Sequence, residues 1–247
     1  MQLLFSMLFS LLINLWGAIV PLIFLLPSAL FRSRKIADFG AKIWSKVSIW
    51  MLKKICGVDY KIIGAENILP EPCIFACKHQ SMWETIIMHL IIKRPVYAYK
   101  KELELIPFYG WFLKVMSGIK VDRKGGAQSL KGVVNQAKYY LAHGQSIVIF
   151  PQGTRVGVGA KIDQYPYQSG ISALYKACNV KVVPVALNSG IYWPKHRALK
   201  KRGTILIEFL PAIEVGLPRS EFEKELIQLI EESSVRLAID KVGVGIA

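Results

Sequence analysis

What the chain lacks narrows its reading first. Its 247 residues contain no Gly-x-Ser-x-Gly elbow, which disfavours a serine hydrolase. They contain no Cys-x-x-Cys pair and no secreted cysteine framework. The four cysteines, Cys56, Cys73, Cys77 and Cys178, therefore read as reduced and mostly buried thiols in a reducing compartment. Zinc-ligand spacing is absent and so is an aromatic RNA-binding signature, which makes nucleic acid the weaker partner for so basic a chain. There is no internal repeat and no low-complexity tract. Acidic residues are few, with 17 Asp and Glu against 32 Lys and Arg, so the net charge is +15. Such a surface seeks anions, whether anionic lipid or an acidic partner or substrate.

Charge is missing altogether from Met1 to Phe31. That run is long enough for a membrane-spanning helix. Pro21 and Pro27 also allow a kinked or re-entrant helical pair. Arg32, Arg34 and Lys35 follow at once and predict a cytoplasmic location for what comes next. Over residues 36–55, Ile36, Phe39, Ile43, Val47 and Trp50 recur at helical spacing beside Lys42, Lys46 and Lys53. This fits a helix in the headgroup layer, with Trp44 and Trp50 at the interface, or an amphipathic helix packed on the domain. Apolar residues make up 53% of the chain. The mean hydropathy of +0.35 is high for a purely soluble protein.

From residue 58 short apolar runs alternate with helical ones. Strands are expected at 60–63, 73–77, 96–99, 118–121, 146–150, 180–187 and 204–209. Helices are expected at 83–92, 107–116, 127–143, 169–177 and 220–240, with Gly144 as a helix stop. The alternation predicts an α/β fold with a mixed, largely parallel central sheet flanked by helices, preceded by an N-terminal helical membrane anchor. The domains are then residues 1–57, membrane-associated, and 58–247, the α/β unit. Residues 156–168 read as a loop over the site.

The chemistry centres on Lys78-His79-Gln80-Ser81-Met82-Trp83-Glu84, between a buried strand and a helix. Residues five apart diverge by about 140° on a helix, so His79 and Glu84 meet only with the histidine in the turn and the glutamate in the first helical turn. Glu84 would then accept the imidazole Nδ1–H and leave Nε2 free as a base. Alone, the pair is equally a turn histidine and a carboxylate favouring a helix dipole. Gly118-Ile119-Lys120-Val121-Asp122-Arg123 reads as a strand ending in a guanidinium suited to phosphate, or in a surface Asp122–Arg123 contact. Phe150-Pro151-Gln152-Gly153-Thr154-Arg155 follows an apolar strand. Pro151 ends the strand, Gly153 permits a tight bend that turns amides toward a ligand, and Arg155 is a second guanidinium. Pro184, within Val182–Leu187, suggests an edge strand, a bulge or a ligand-facing bend.

These four blocks, in this order, make the chain resemble the membrane-bound glycerolipid acyltransferases, those acting on 1-acylglycerol 3-phosphate most of all. The blocks matched are His-x4-Asp at His79 to Glu84, the Gly-led strand ending Asp-Arg at Gly118 to Arg123, Phe-Pro-Glu-Gly-Thr-Arg at Phe150 to Arg155, and the Val-Pro-Val strand at Val183 to Val185. Lys101-Glu102-Leu103 and Ile106-Pro107-Phe108-Tyr109-Gly110 look like the family's linking segment. The likeness covers roughly residues 58–210. It implies that His79 and Glu84 are catalytic, that Arg123 and Arg155 hold the substrate phosphate, and that Pro151, Gln152, Gly153 and Thr154 form the acceptor loop. It also implies acyl transfer without a covalent intermediate, with acyl-CoA or acyl carrier protein as donor, membrane lipids as partners, no nucleic acid, and no metal or other cofactor. The expected location is the inner (cytoplasmic) membrane, catalytic unit on the cytoplasmic side.

There are departures. Glu84 stands for the usual Asp, Gln152 for the usual Glu, and Gln168 where relatives often carry Lys. Gln152 keeps other acceptors open, such as glycerol 3-phosphate, a lyso-ornithine lipid or another lysophospholipid. A non-catalytic membrane lipid-binding protein would need only the apolar N-terminus and the basic surface, to which Lys93, Arg94, Lys195, Arg197, Lys200, Lys201 and Arg202 contribute.

Overall fold

The structure is a computed structural model that describes residues 1–31, 33–106, 110, 113, 118–123, 125–195 and 197–243. The chain opens on helices α1 (Gln2–Leu30) and α2 (Arg34–Met51), the second running on into a π-helical turn, Leu52–Cys56. Then come β1 (Val58–Ile63), β2 (Ile74–Cys77), α3 (Trp83–Ile91), β3 (Pro95–Lys100), a 3-10 turn at Lys101–Leu105, and β4 (Ile119–Val121). The remainder is α4 (Gly126–Ala142), β5 (Ser146–Ile149), α5 (Gly170–Cys178), β6 (Val182–Leu187), α6 (Ser189–Tyr192), β7 (Gly203–Phe209) and α7 (Arg219–Gly243). All seven expected strands form. The expected helix at 107–116 falls almost wholly outside the described residues.

The strands make one sheet in the order β1-β7-β6-β2-β5-β3-β4. Every pairing is parallel except β6 with β7. Alternation along β2 explains the two-sided core. Phe75 joins Val183, Val185, Trp83 and Ile86 on one face, and Ile74 and Ala76 join Val133, Leu174 and Phe222 on the other. Cys73 and Cys77 share the Phe75 face, fully buried and unbridged, as the strand period requires. Each such fully buried aliphatic side chain contributes about 1.5–3 kcal/mol. Gly144 closes α4 at φ 71°, a conformation that spares glycine a side-chain clash.

Of the readings of Pro184, the edge strand is overturned and a bulge is what forms. Its strand is interior to the sheet, paired on both sides. The proline is tolerated because the segment paired with it gives way. Val185 faces Phe209 and Leu210 N donates to the Pro184 carbonyl, yet Val182 pairs with Ile213, one residue beyond that register. The bulge is thus in the segment after β7, opposite the missing proline N–H.

The N-terminal pair packs on the sheet. The helix α1 runs unbroken through Pro21 and Pro27. Its first 24 residues include a 23-residue stretch, Gln2–Phe24, long and apolar enough to cross a membrane. One stripe is nevertheless taken up by the domain. Phe9 and Ile13 enter the core of Phe75 and Trp83. Gln2 donates to the carbonyls of Cys56 and Lys200, the Lys200 amide donates to Ser6 Oγ, and its ammonium donates to Ser10 Oγ at 2.6 Å. Lys200 is therefore a buried anchor and not part of the solvated basic surface. Leu4, Leu8, Leu11, Leu15 and Leu22 face outward. On α2 the buried residues are small up to Ser48, namely Ala37, Gly40, Ala41, Ser45 and Ser48, with Ile49 and Met51 buried at its end, while Phe39 and Trp50 of the expected apolar stripe are exposed. A Cβ on Gly40 would strike the Phe24 ring, so small residues let these helices approach closely.

Candidate active site

Because β6, β2, β5, β3 and β4 run parallel, their carboxyl ends lie along one edge of the sheet. Open α/β sheets place ligands there. Each candidate residue follows one of these ends: Ser189 after β6, His79 and Glu84 after β2, Phe150 to Arg155 after β5, Lys100 at the end of β3 and Arg123 after β4.

The turn at residues 78–82 puts His79 outside α3 and Glu84 in its first turn, as the spacing demanded. The Nδ1 of His79 lies 2.9 Å from Oε1 of Glu84. Glu84 is completely buried, while 16% of the His79 side chain is exposed. The same Oε1 accepts the amides of Gln80 (2.5 Å) and Ser81 (2.6 Å), and Oε2 accepts the hydroxyls of Ser81 (3.1 Å) and Ser189 (2.8 Å). Burial pushes the Glu84 carboxyl up. The hydrogen bond and charge of His79, with the Ser81 amide, outweigh it and hold the group below its usual range. An ionised, four-times-bonded carboxylate accepts Nδ1–H and fixes the imidazole tautomer. No hydrogen-bond partner of Nε2 occurs among the described residues. The ring stacks on Phe150 at 4.1 Å between centroids, which holds its plane.

Behind the turn, Lys78 points to the other face. Its buried ammonium bonds Glu231 of α7 at 2.6 and 2.8 Å, and Tyr167 donates to the same carboxylate at 2.7 Å. The 78–82 turn, the end of the 156–168 loop and the C-terminal helix thus meet in one buried group. The loop is also tied at its front, where Val156 N donates to the His79 carbonyl at 2.7 Å.

Gly153 bends the Phe150–Arg155 turn at φ 62°, and a Cβ there would run into the Arg123 guanidinium. Arg123 donates to the Gly153 carbonyl, so the two arginine-bearing segments do come together. The Asp122 contact weighed for Arg123 is not what forms, since Asp122 pairs with Lys101. Arg155 is half-buried at the end of the same turn, and Lys195 Nζ lies 3.4 Å from both Thr154 Oγ1 and the Arg155 carbonyl. Pro151 and Gln152 are buried. Gln152 Nε2 donates to the Tyr165 carbonyl at 2.9 Å, and Gln168 N donates to the Pro151 carbonyl at 2.9 Å. The amide of Gln152 is therefore committed to the loop, a task that an ionised Glu could not perform.

Sequence reasoning missed Ser81, Ser189, Phe150 as a stacking platform, and Lys195 as a neighbour of the turn. Ser81 carried a signal, three residues before a helical Glu. Ser189 and Lys195 carried none, because only the sheet brings β6 beside β2.

Among the described residues no three His, Cys, Asp or Glu side chains gather as metal ligands. The arrangement is a buried carboxylate, an imidazole with a free nitrogen, and cations alongside.

Comparison with known proteins agrees with that chemistry. A family model described as Acyltransferase matches residues 59–188, which include His79, Glu84, Arg123 and Phe150 to Arg155 but not Ser189 or Lys195. A Pseudomonas aeruginosa protein named 1-acyl-sn-glycerol-3-phosphate acyltransferase is 34% identical over 210 residues, covering 85% of this chain and 79% of its own. A Salmonella typhimurium protein of the same name is 25% identical over 232 residues, covering 92% and 86%. A Saccharomyces cerevisiae protein of that name is 26% identical over 170 residues, 66% of this chain but 54% of its own. In structure, the chain is similar to the 1-acyl-sn-glycerophosphate acyltransferase PlsC of Thermotoga maritima, with a TM-score of 0.77, 19% identity and 96% of each chain covered, a likeness of fold. With the family match spanning more than half its length and a relative 34% identical over 85% of it, the chain belongs to the acyltransferase family.

Proposed function

We propose that the chain transfers a fatty acyl group from an acyl thioester to the free hydroxyl of 1-acylglycerol 3-phosphate, giving phosphatidic acid. The observation that carries this reading is the buried Glu84 holding His79 by Nδ1, with Nε2 open beside the turn where Arg123 and Lys195 converge on residues 153–155. His79 Nε2 takes the hydroxyl proton, and Glu84 stabilises the imidazolium. The acceptor oxygen attacks the thioester carbonyl, and the C–S bond breaks as the thiolate recovers a proton from His79. General-base help of this kind is worth roughly 10²–10⁴ in rate. Arg123 and Arg155 hold the phosphate and place the hydroxyl, a proximity effect.

The oxyanion donor belongs to the Gln152–Thr154 turn in this reading. The amides of Gln80 and Ser81 are spent on Glu84, and that of Gly153 on the Phe150 carbonyl. With those three spent, the reading assigns the tetrahedral oxygen to the backbone amides of Gln152 and Thr154. The donor is acyl-CoA or acyl carrier protein, and the chemistry requires no metal or cofactor.

The apolar outer face of α1 suits insertion into the lipid that holds substrate and product. The basic residues after α1 orient the catalytic unit to the cytoplasmic side of the inner membrane.

The test is purified protein with acyl-CoA or acyl carrier protein thioester, following thiol release. Lysophosphatidic acid, glycerol 3-phosphate, a lyso-ornithine lipid and lysophosphatidylcholine serve as acceptors. Release is expected with lysophosphatidic acid above the others. Preference for another acceptor, or no acceptor-dependent release, would refute the assignment.

A further inference from the structure

We infer that Lys195 is a third cation of the acceptor-phosphate site, supplied from outside the four sequence blocks and acting with Arg123 and Arg155. The inference rests on the phosphate reading above and gives a role to a residue that the reading only places beside the turn.

Charge pairing around the sheet edge separates two kinds of cation. Lys101 is paired with Asp122 at 3.1 Å, and Lys120 with Glu104 at 2.8 Å. Among the described residues, Arg123, Arg155 and Lys195 have no carboxylate within ion-pair distance. They are nonetheless drawn to one short turn. Arg123 donates to the Gly153 carbonyl, and Lys195 approaches the Thr154 hydroxyl and the Arg155 carbonyl.

Like charges gathered at one turn, with Arg123 exposed and Arg155 and Lys195 half-buried, repel. Neutral oxygens of the turn offset only part of that cost. Lys100, at the end of β3, feels the same field. Burial holds it below the usual lysine range, Arg123 and Lys195 push it the same way, and Glu102 opposes them. A dianion entering the cluster would relieve this repulsion, and a phosphate monoester near neutral pH carries close to two negative charges.

The geometry favours Lys195 as a ligand over a surface charge. It is half-buried, and both of its contacts are long at 3.4 Å, so they constrain its ammonium weakly and leave donors for an incoming oxygen. Its segment is fixed to the catalytic turn. Six residues earlier Ser189 bonds Glu84, and the Gly190 amide donates to Gln80 Oε1 at 3.0 Å. One short stretch after β6 therefore braces the carboxylate behind the base and presents a cation on the ligand side.

Phosphate could reach this cluster from the acceptor or from a CoA donor, and kinetics separates the two. Lys195→Gln removes the charge yet retains an amide that can donate to the same two oxygens. Lys195→Arg keeps the charge, and Arg155→Ala serves as reference. The KM of lysophosphatidic acid and of acyl-CoA are measured for each, with the thermal midpoint of each protein.

The expected result is an acceptor KM raised about 10- to 100-fold in Lys195→Gln, the range open to a charge-assisted hydrogen bond. Donor KM and thermal midpoint should stay near wild type, and Lys195→Arg should recover most of the loss. If Arg155→Ala raises the acceptor KM and Lys195→Gln does not, the inference about Lys195 is wrong and the phosphate reading stands. If only the donor KM rises in Lys195→Gln, the lysine serves the donor and the inference is equally wrong. If neither variant moves the acceptor KM, the phosphate reading itself fails. Should Lys195→Gln melt early, Lys195→Met with competition by glycerol 3-phosphate decides: undiminished competition overturns the inference, and weakened competition upholds it.

Discussion

Glu84 and Arg155 belong to segments that follow neighbouring strands, β2 and β5, yet their surroundings are opposites. Glu84 is fully buried and takes hydrogen bonds from two amides and two hydroxyls besides the imidazole. Arg155 is half-buried and, like Arg123 and Lys195, has no carboxylate partner among the described residues. The contrast separates two tasks. In the proposed mechanism, proton transfer needs a base whose tautomer and angle are set before substrate arrives, which a fully satisfied carboxylate provides. In the same proposal, binding an anion needs cations whose best partner is still missing, which under-neutralised side chains provide.

Substitutions can break this contrast. The largest effect is expected from His79→Ala, which removes the base and should cut turnover by roughly 10²–10⁴ with the thermal midpoint little changed. Near-normal thiol release would end the base assignment. Glu84→Gln comes next. It keeps an oxygen toward Nδ1 but removes the charge that stabilises the imidazolium, so kcat should fall about 10- to 100-fold while acceptor KM holds. A rise in acceptor KM at constant kcat would place Glu84 in the wrong half.

Arg155→Ala should do the converse, raising acceptor KM by about 10- to 100-fold with a smaller change in kcat. A shift confined to the donor KM would remove its phosphate role. The smallest of these effects concerns the buried half alone. Ser189→Ala deletes one bond to the Glu84 carboxylate and should cost about 1–3 kcal/mol of stability, read as a lower denaturant midpoint.

Acid tests the same half. The Glu84 carboxyl lies below its ordinary value of 4.5 in the folded chain. Its contribution to stability is therefore complete above that ordinary value and is lost as pH falls through the lower, folded one. Glu84→Gln should lack this component of acid unfolding. An identical acid limb in the variant would show that the carboxylate is not held ionised by its surroundings.

Much of this was legible in one dimension because it is local. The His79 to Glu84 spacing allows a single geometry, histidine in the turn and glutamate in the first helical turn, and the structure adopts it. Short apolar runs bounded by breakers gave every strand, since strand period and burial leave a pattern in adjacent residues. What failed to show was set by neighbours distant in the chain. Pro184 reads as unfit for an interior strand until the bulge across from it, at Leu210–Ile213, is seen. Gln152 looks like a weakened acceptor ligand until Tyr165 is found against its amide.

The amino-acid order alone thus determined the alternating α/β layers, the uncharged leading helix and the meeting of His79 with Glu84. Each of these depends on side chains a few positions apart. Only the tertiary structure decided that Ser189 braces Glu84, that Lys195 joins Arg155, and that Gln2, Ser6 and Ser10 of α1 hold the Lys200 segment. Those contacts cross 40 to 198 positions and exist because β6 pairs beside β2 and the sheet buries one stripe of the first helix. Local pattern carries no term for which distant strand becomes a neighbour, so the partners it supplies appear only when the sheet is assembled.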